Sequence, residues 1–254
     1  MIWDELTSAQ IGELDRNIPV VLVLAATEQH GAHLPLATDR MIGEYFGRQL
    51  HEAIPEKVLI LPAVHVGCSD HHLDFPGTLS LDHHHFAGQV EDLVKSVLKH
   101  GFKKILLLNS HGGNRGIGQV VVERLGYQFP EAHFVFSSWW QLAGPELVDI
   151  SETGPGGVGH GGEFETSLML LIAPELVVKK QISPKANVPT FKWAEGDLLR
   201  SPRALYHRSM KKMTPSGVYG DPTKASVEKG KKIVDVVLEE LKQLSLDLFE
   251  LTGS

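Results

Sequence analysis

Four apolar runs constrain this chain more than anything else in it: IPVVLVLAA (18–26), KVLILPAV (57–64), KKILLLNS (103–110) and HFVFSSW (133–139). Each is rich in Val, Ile and Leu rather than alternating with polar residues, the pattern of strands covered on both faces. Helical periodicity fills the gaps. Met41, Ile42, Tyr45, Phe46, Leu50 and Ile54 form one apolar stripe, and Val90, Leu93, Val94, Val97 and Leu98 form another that closes on Gly101. NRGIGQVVVERLGYQF follows the third run, and GEFETSLMLLIAPEL follows a Gly-rich loop after the fourth. Strand and helix in alternation predict a three-layer α/β/α fold with a mostly parallel central sheet. A long amphipathic helix ends the chain. With no repeat, low-complexity tract or linker, residues 1–254 read as one domain. Residues 181–222 break the rhythm with Pro184, Pro189, Pro202, Pro215 and Pro222. A stretch of that length without a period is a functional element, an interface or an ordered surface excursion.

Charge and composition narrow the function. A formal net charge of -7 excludes the basic surface that nucleic acids or anionic membranes require. Cys68 is the only cysteine, so neither an intrachain disulfide nor a Cys-based zinc site is possible. The acidic start MIWDELTSAQIGELDR lacks the features of a signal peptide, and no apolar run is long enough to span a membrane. A cytoplasmic location is therefore expected. Histidine is the unusual count: 14 residues, the commonest transition-metal ligand and the usual acid or base near neutrality.

In open α/β sheets, ligands bind beyond the carboxyl ends of the strands. Glu28 and His30 directly follow the first run, with Asp39 shortly after. His111, in NSHGGN, directly follows the third run, and GHGGEFETS carries His160, Glu163 and Glu165 after the fourth. Each residue also has an ordinary structural reading. Asp39 or Glu28 can cap a helix, His111 can be a hydrogen-bonded turn residue, and Glu163 suits a helix first turn. Their convergence on one sheet edge, as mixed imidazole and carboxylate, points instead to a divalent metal. The adjacent HGGN and HGG glycines allow close backbone approach and offer N–H groups to an oxyanion.

TEQHGAHLPLATD, HLDFPGTLSL, NSHGGN, GHGGEFETSLML and GVYGDPTKAS together resemble the creatininase (creatinine amidohydrolase) family, in order over nearly the whole chain. The resemblance implies the three-layer fold, a binuclear metal site, hydrolysis of a small-molecule C–N bond, and a homo-oligomer, a hexamer built as a trimer of dimers. It makes Glu28 and His111 ligands of one ion, His30 a ligand of the other, and Asp39 the bridge between two divalent ions of Zn, Mn or Fe. Creatininase takes a further Glu ligand where this chain has Gly113, and it has an apolar residue where this chain has Glu163; Glu163 is therefore expected to fill that coordination position. His160 matches the family's base. His72, Gly112 and Gly113 are expected to contact substrate, and His33 to orient a ligand carboxylate. Gly156 stands where creatininase keeps a flap Trp, which disfavours creatinine itself. A metal pair can share a water and lower its pKa toward neutrality. The leading reading is thus an amidohydrolase of a small cyclic amide or formamide. A metallopeptidase of a short modified peptide and a non-catalytic metal-binding assembly protein are the alternatives. His83, His84 and His85 are expected to be mostly solvated, and His51, His100, His133 and His207 to lie at the surface.

Overall fold

A computed structural model describes residues 1–251 of the chain. Its centre is a fully parallel sheet of β1 (Val20–Leu24), β2 (Leu59–Ile60), β3 (Lys104–Asn109) and β4 (His133–Ser138), in the order β2-β1-β3-β4. Val20 pairs with Ile105 and Leu24 with Asn109, so β1 and β3 end level with each other. The order reverses between these two strands, which places a crevice beyond their carboxyl ends.

The second run forms a far shorter strand than its apolar stretch predicts. Pro62 has no N–H to give the ladder, so regular pairing stops at Ile60. Hydrogen bonds from Leu61 N to Val21 O and Val64 N to Val23 O, 2.8 and 2.9 Å, still hold the segment against β1.

Side chains of β1 and β3 alternate between two cores. Val21, Val23, Leu106 and Leu108 face one layer, made by α2 (Thr38–Ala53), α5 (Trp139–Leu142), α6 (Gly144–Ile150), α7 (Glu163–Ile172) and α9 (Val227–Glu250). Val20, Leu22, Leu24, Ile105 and Leu107 face the other, made by α3 (His83–Lys99) and α4 (Arg115–Gln128), with the short α1 (Ser8–Glu13) beside them. The strands therefore read as continuous apolar runs because both faces are covered, and each buried Val, Ile or Leu contributes about 1.5–3 kcal/mol.

Two helix ends differ from their patterns for local reasons. α7 stops at Ile172 because Pro174 disfavours helical backbone at Ala173, and Pro174–Leu176 continues only as a 3₁₀ turn. α3 starts earlier than its stripe, because Asp82 caps it by accepting from His84 N and His85 N at 2.8 and 3.1 Å. His83, His84 and His85 are exposed there, as are His100 and His207, whereas His51 and His133 are half-buried. Residues 182–222 are mostly irregular, apart from α8 (Met210–Met213). No helix of the described residues is long and apolar enough to cross a membrane.

Candidate metal centre

Backbone tethers bring three loops together. Asn114 donates to Ala25 O at 3.1 Å and accepts from Cys68 N at 3.0 Å, tying the segments after β1, β2 and β3. Asn109 shapes the turn into His111, donating to His111 O at 2.8 Å and accepting from His111 N at 3.2 Å. Asp39 lies in the first turn of α2, but Ala37 is the N-cap and no side chain caps the helix. Its carboxylate is thus directed elsewhere.

In the crevice, Asp39 spans two imidazoles: Oδ1 lies 3.1 Å from His30 Nε2 and Oδ2 lies 3.0 Å from His111 Nδ1. Glu28 Oε1 lies 3.3 Å from His111 Nδ1 and 3.5 Å from His160 Nδ1. Glu28, His30 and Asp39 are essentially solvent-free.

The second nitrogen of each ring decides what the first one presents. His30 Nδ1 donates to Glu28 O at 3.1 Å, His111 Nε2 to Cys68 O at 3.1 Å, and His160 Nε2 to Gln29 O at 2.7 Å. A carbonyl can only accept, so each of these nitrogens carries the proton. His30 Nε2 and His111 Nδ1 therefore turn lone pairs toward carboxylate oxygens 3.0 to 3.3 Å away, whereas His160 Nδ1 is the most distant, 3.5 Å from Glu28 Oε1. Lone pair facing lone pair at such distances requires a cation between them, a proton or a metal. Both oxygens of Glu28 and Oδ2 of Asp39 are buried without a hydrogen-bond partner among the described residues. The donor set fits a borderline divalent ion.

His72 differs from these three. Gln29 Oε1 accepts from Gly31 N at 2.9 Å, while its Nε2 donates to Gly217 O at 3.0 Å and to His72 Nδ1 at 2.7 Å. His72 must then carry its proton on Nε2, which lies 3.4 Å from Glu28 Oε1 without making a hydrogen bond to it. Gln29, the residue between Glu28 and His30, was not singled out by sequence reasoning. Its signal was only its position inside TEQHGAH.

The expectation for Glu163 is corrected by the geometry. Its carboxylate accepts from Glu152 N at 2.9 Å, Thr153 N at 3.0 Å and Ser151 Oγ at 3.2 Å, and it pairs with Lys229. Lys229 is held in turn by Lys224 O at 2.9 Å and Glu152 at 2.8 Å. Glu165, two residues on, reaches the crevice instead: its Oε2 lies 3.8 Å from His30 Nε2 and accepts from Gly161 N at 2.6 Å. Positions two apart on a helix point about 200° from each other, so only one of the pair can face His30.

Three glycines carry further information. A Cβ on Gly113 would come within 2.1 Å of Cys68 O, so no Glu fits there on this backbone. Gly112 lines a cavity of about 250 Å³ together with His160, Arg115, Trp140, Tyr219 and Met213. Gly156, at φ +76°, donates to Asp197 Oδ2 at 2.6 Å, which ties its loop to the irregular excursion. His33, expected to orient a carboxylate, lies instead 2.9 Å from Thr166 Oγ1.

Electrostatics repeat the demand for positive charge. Burial opposes a charge on His30, but Asp39, Glu165 and Glu28 outweigh it and push His30 up to about 10. His111 is likewise raised, burial being overcome by Glu28 and Asp39. Burial would raise Glu28 and Asp39, yet the imidazoles beside them hold both below their ordinary values. Glu165 is pushed up to about 7 by burial, with Asp39 and Glu28 adding to it against His30. His160 is pushed down to about 3 by burial and by the charge on His30, and His72 is lowered by burial and the surrounding imidazoles.

Known proteins share this architecture. The creatininase family model (creatinine amidohydrolase) matches residues 4–245. A mycofactocin precursor peptide peptidase of Mycobacterium tuberculosis is 30% identical over 93% of this chain and 88% of its own length. A creatinine amidohydrolase of Pseudomonas putida is 28% identical over 87% of this chain and 85% of its own. A crystal structure of creatinine amidohydrolase (creatininase) superposes with a TM-score of 0.79 at 26% identity, covering 99% of this chain and 98% of that one. Creatininases in a manganese form and a Zn-Zn form match with TM-scores of 0.78 and 0.79. Fold and sequence agree: the chain belongs to the creatininase family of hydrolases.

Proposed function

We propose that the protein hydrolyses a C–N bond of a small amide, cyclic amide or formamide, using two divalent ions held in the crevice. Glu28 and His111 would hold one ion, His30 and Glu165 the other, and Asp39 would give one oxygen to each. The observation that carries this is the set of unpartnered Glu28 and Asp39 oxygens facing histidine lone pairs. Metals bound there supply a Lewis acid for the carbonyl and a lowered pKa for water.

The chain's own residues do the rest. Hydrolysis adds OH to the acyl carbon and a proton to the leaving nitrogen. His160 is neutral at pH 7 and turns its Nδ1 lone pair into the crevice, while Gln29 O fixes the opposite nitrogen. Nδ1 can therefore take a proton from the attacking water and pass it to the leaving nitrogen. The N–H at His72 Nε2, 3.4 Å from Glu28 Oε1, places a partial positive charge beside that carboxylate. Gly112, on the cavity wall, offers backbone to the substrate.

A short peptide is the second substrate reading, supported by the identity to the mycofactocin precursor peptide peptidase and by Gly156 in place of a covering Trp. Metal analysis of protein purified without added metal, with Asp39→Asn and Glu165→Gln beside it, tests the centre. Wild type is expected to carry about two ions, Asp39→Asn to lose both and Glu165→Gln to lose one. Full metal content in Asp39→Asn would sink the bridging role.

A further inference from the structure

The cavity that holds His160 also presents donors for which the protein supplies no acceptor. Arg115 opens α4 beside Gly112 and lines that cavity, half-buried. Among the described residues no ion pair or side-chain hydrogen bond engages its guanidinium, whereas Arg16 reaches three backbone carbonyls and Arg124 pairs with Glu91. Carboxylates are plentiful in a chain of net charge -7, so an unpaired Arg in a crevice is not for want of candidates.

Trp140 supplies the second observation. It is 1% exposed, lines the same cavity, and its indole N–H has no partner. Asp197, the acidic residue on this wall, is already occupied. Its oxygens accept from Gly156 N at 2.6 Å, Leu199 N at 3.0 Å and Arg200 N at 2.9 Å. Of the remaining wall, Ala194, Leu198 and Pro202 offer no side-chain acceptor and Met213 only a weak one, and no hydrogen bond joins the Tyr219 hydroxyl to Arg115 or Trp140. A guanidinium fork matches the paired oxygens of a carboxylate or phosphate, and an indole N–H can only donate.

Resting on the hydrolase reading of this cavity, we infer that the substrate carries an anionic group, a carboxylate or a phosphate, near the bond that is cleaved. Arg115 binds that group, and the Trp140 N–H takes one of its oxygens. Arg115 is thereby the residue that selects among amides, and His160 acts on whichever one is bound.

Equilibrium binding to the zinc-loaded protein tests this with three probes: N-acetylglycine, its neutral partner N-acetylglycinamide, and inorganic phosphate. N-acetylglycine or phosphate should bind at least about 10-fold tighter than the amide, and whichever binds tighter identifies the anion. Arg115→Ala should erase that preference while leaving amide binding unchanged. Arg115→Lys should restore part of it, and Trp140→Phe should lose a smaller part. Equal binding of all three probes overturns the inference, as does failure of any to bind below roughly 10 mM. Preference that survives in Arg115→Ala places the anion on the metals and also overturns it. The hydrolase reading fails separately, through zinc-loaded wild type that binds these probes yet cleaves no small amide, formamide or short peptide.

Discussion

Two clusters of buried charge share the helix α7, and they are built on opposite terms. On one side Glu163 meets Lys229, Thr153, Ser151 and the N–H groups of Glu152 and Thr153, so its charge is answered within the chain. On the other, Glu28 and Asp39 face histidines alone, Glu165 adds only the Gly161 N–H, and three of the carboxylate oxygens have no hydrogen-bond partner among the described residues. A buried carboxylate stays charged only with a counter-charge nearby. Where the chain provides that charge the cluster is structural; where it does not, the cluster is a receptor for a cation. Residues on the His30 side should therefore govern activity and metal, and residues on the Lys229 side should govern stability.

His160→Ala gives the largest expected effect. Loss of a positioned base lowers kcat by about 10²–10⁴-fold, or roughly 2.7–5.5 kcal/mol. Metal content and melting temperature should stay near wild type, because Glu28, His30, Asp39, His111 and Glu165 remain. If metal content falls in proportion to activity, His160 is a ligand; one of its ring nitrogens lies within 4.8 Å of ligand atoms of His30 and Glu165, which makes that outcome informative.

Glu163→Gln should do the reverse. It removes the buried counter-charge of Lys229 and leaves it only the exposed Glu152 carboxylate and Lys224 O, at a cost of up to about 3–5 kcal/mol in unfolding free energy by denaturant titration. Metal stoichiometry should not change. A Glu163→Gln protein of normal stability that loses metal would break the division between the two sides of α7.

That division also marks where sequence reasoning stops. The layers and the parallel sheet were legible, because buried strands alternating with amphipathic helices follow from local hydrophobicity and connection rules; the strand order was not read from the sequence. Glu28, His30, His111 and His160 could be singled out as candidates because each closely follows a strand or sits beside a glycine turn, and Asp39 because it shares the motif of Glu28 and His30. The choice between Glu163 and Glu165 was not. Both lie in one short motif, and what decides between them is Lys229, 66 residues further on in another helix. Gly113 misled in the same way: its missing side chain reads as a missing ligand, whereas the cause is Cys68 O occupying the space. Pro62 was present in the sequence, but its effect depends on β2 lying at the sheet edge, which is a tertiary fact.

Smallest per unit step, and the one that reads both clusters at once, is the pH dependence. His30 is raised from an ordinary 6.5 to about 10, so in metal-free protein it is protonated at neutral pH. Its contribution to metal-free stability is fully present below 6.5 and is lost as pH rises through about 10. A metal at His30 Nε2 must displace that proton, and one at His111 Nδ1 a second. Apparent affinity should then rise by about one to two powers of ten per pH unit between pH 6.5 and 8.5, with each power worth about 1.36 kcal/mol. Glu163 runs the other way. Lys229, Thr153 and the Glu152 N–H hold it below its ordinary value against burial, so its stabilisation is present above 4.5 and is lost only as pH falls below that. Zinc titrations across that neutral range, run in buffers of different ionisation enthalpy to count released protons, separate the two. Wild type and a correctly folded Glu163→Gln should release the same number of protons, since the Lys229 side takes no part. No proton release from wild type would mean that the imidazoles do not face the ions, and the receptor side of the comparison would fall.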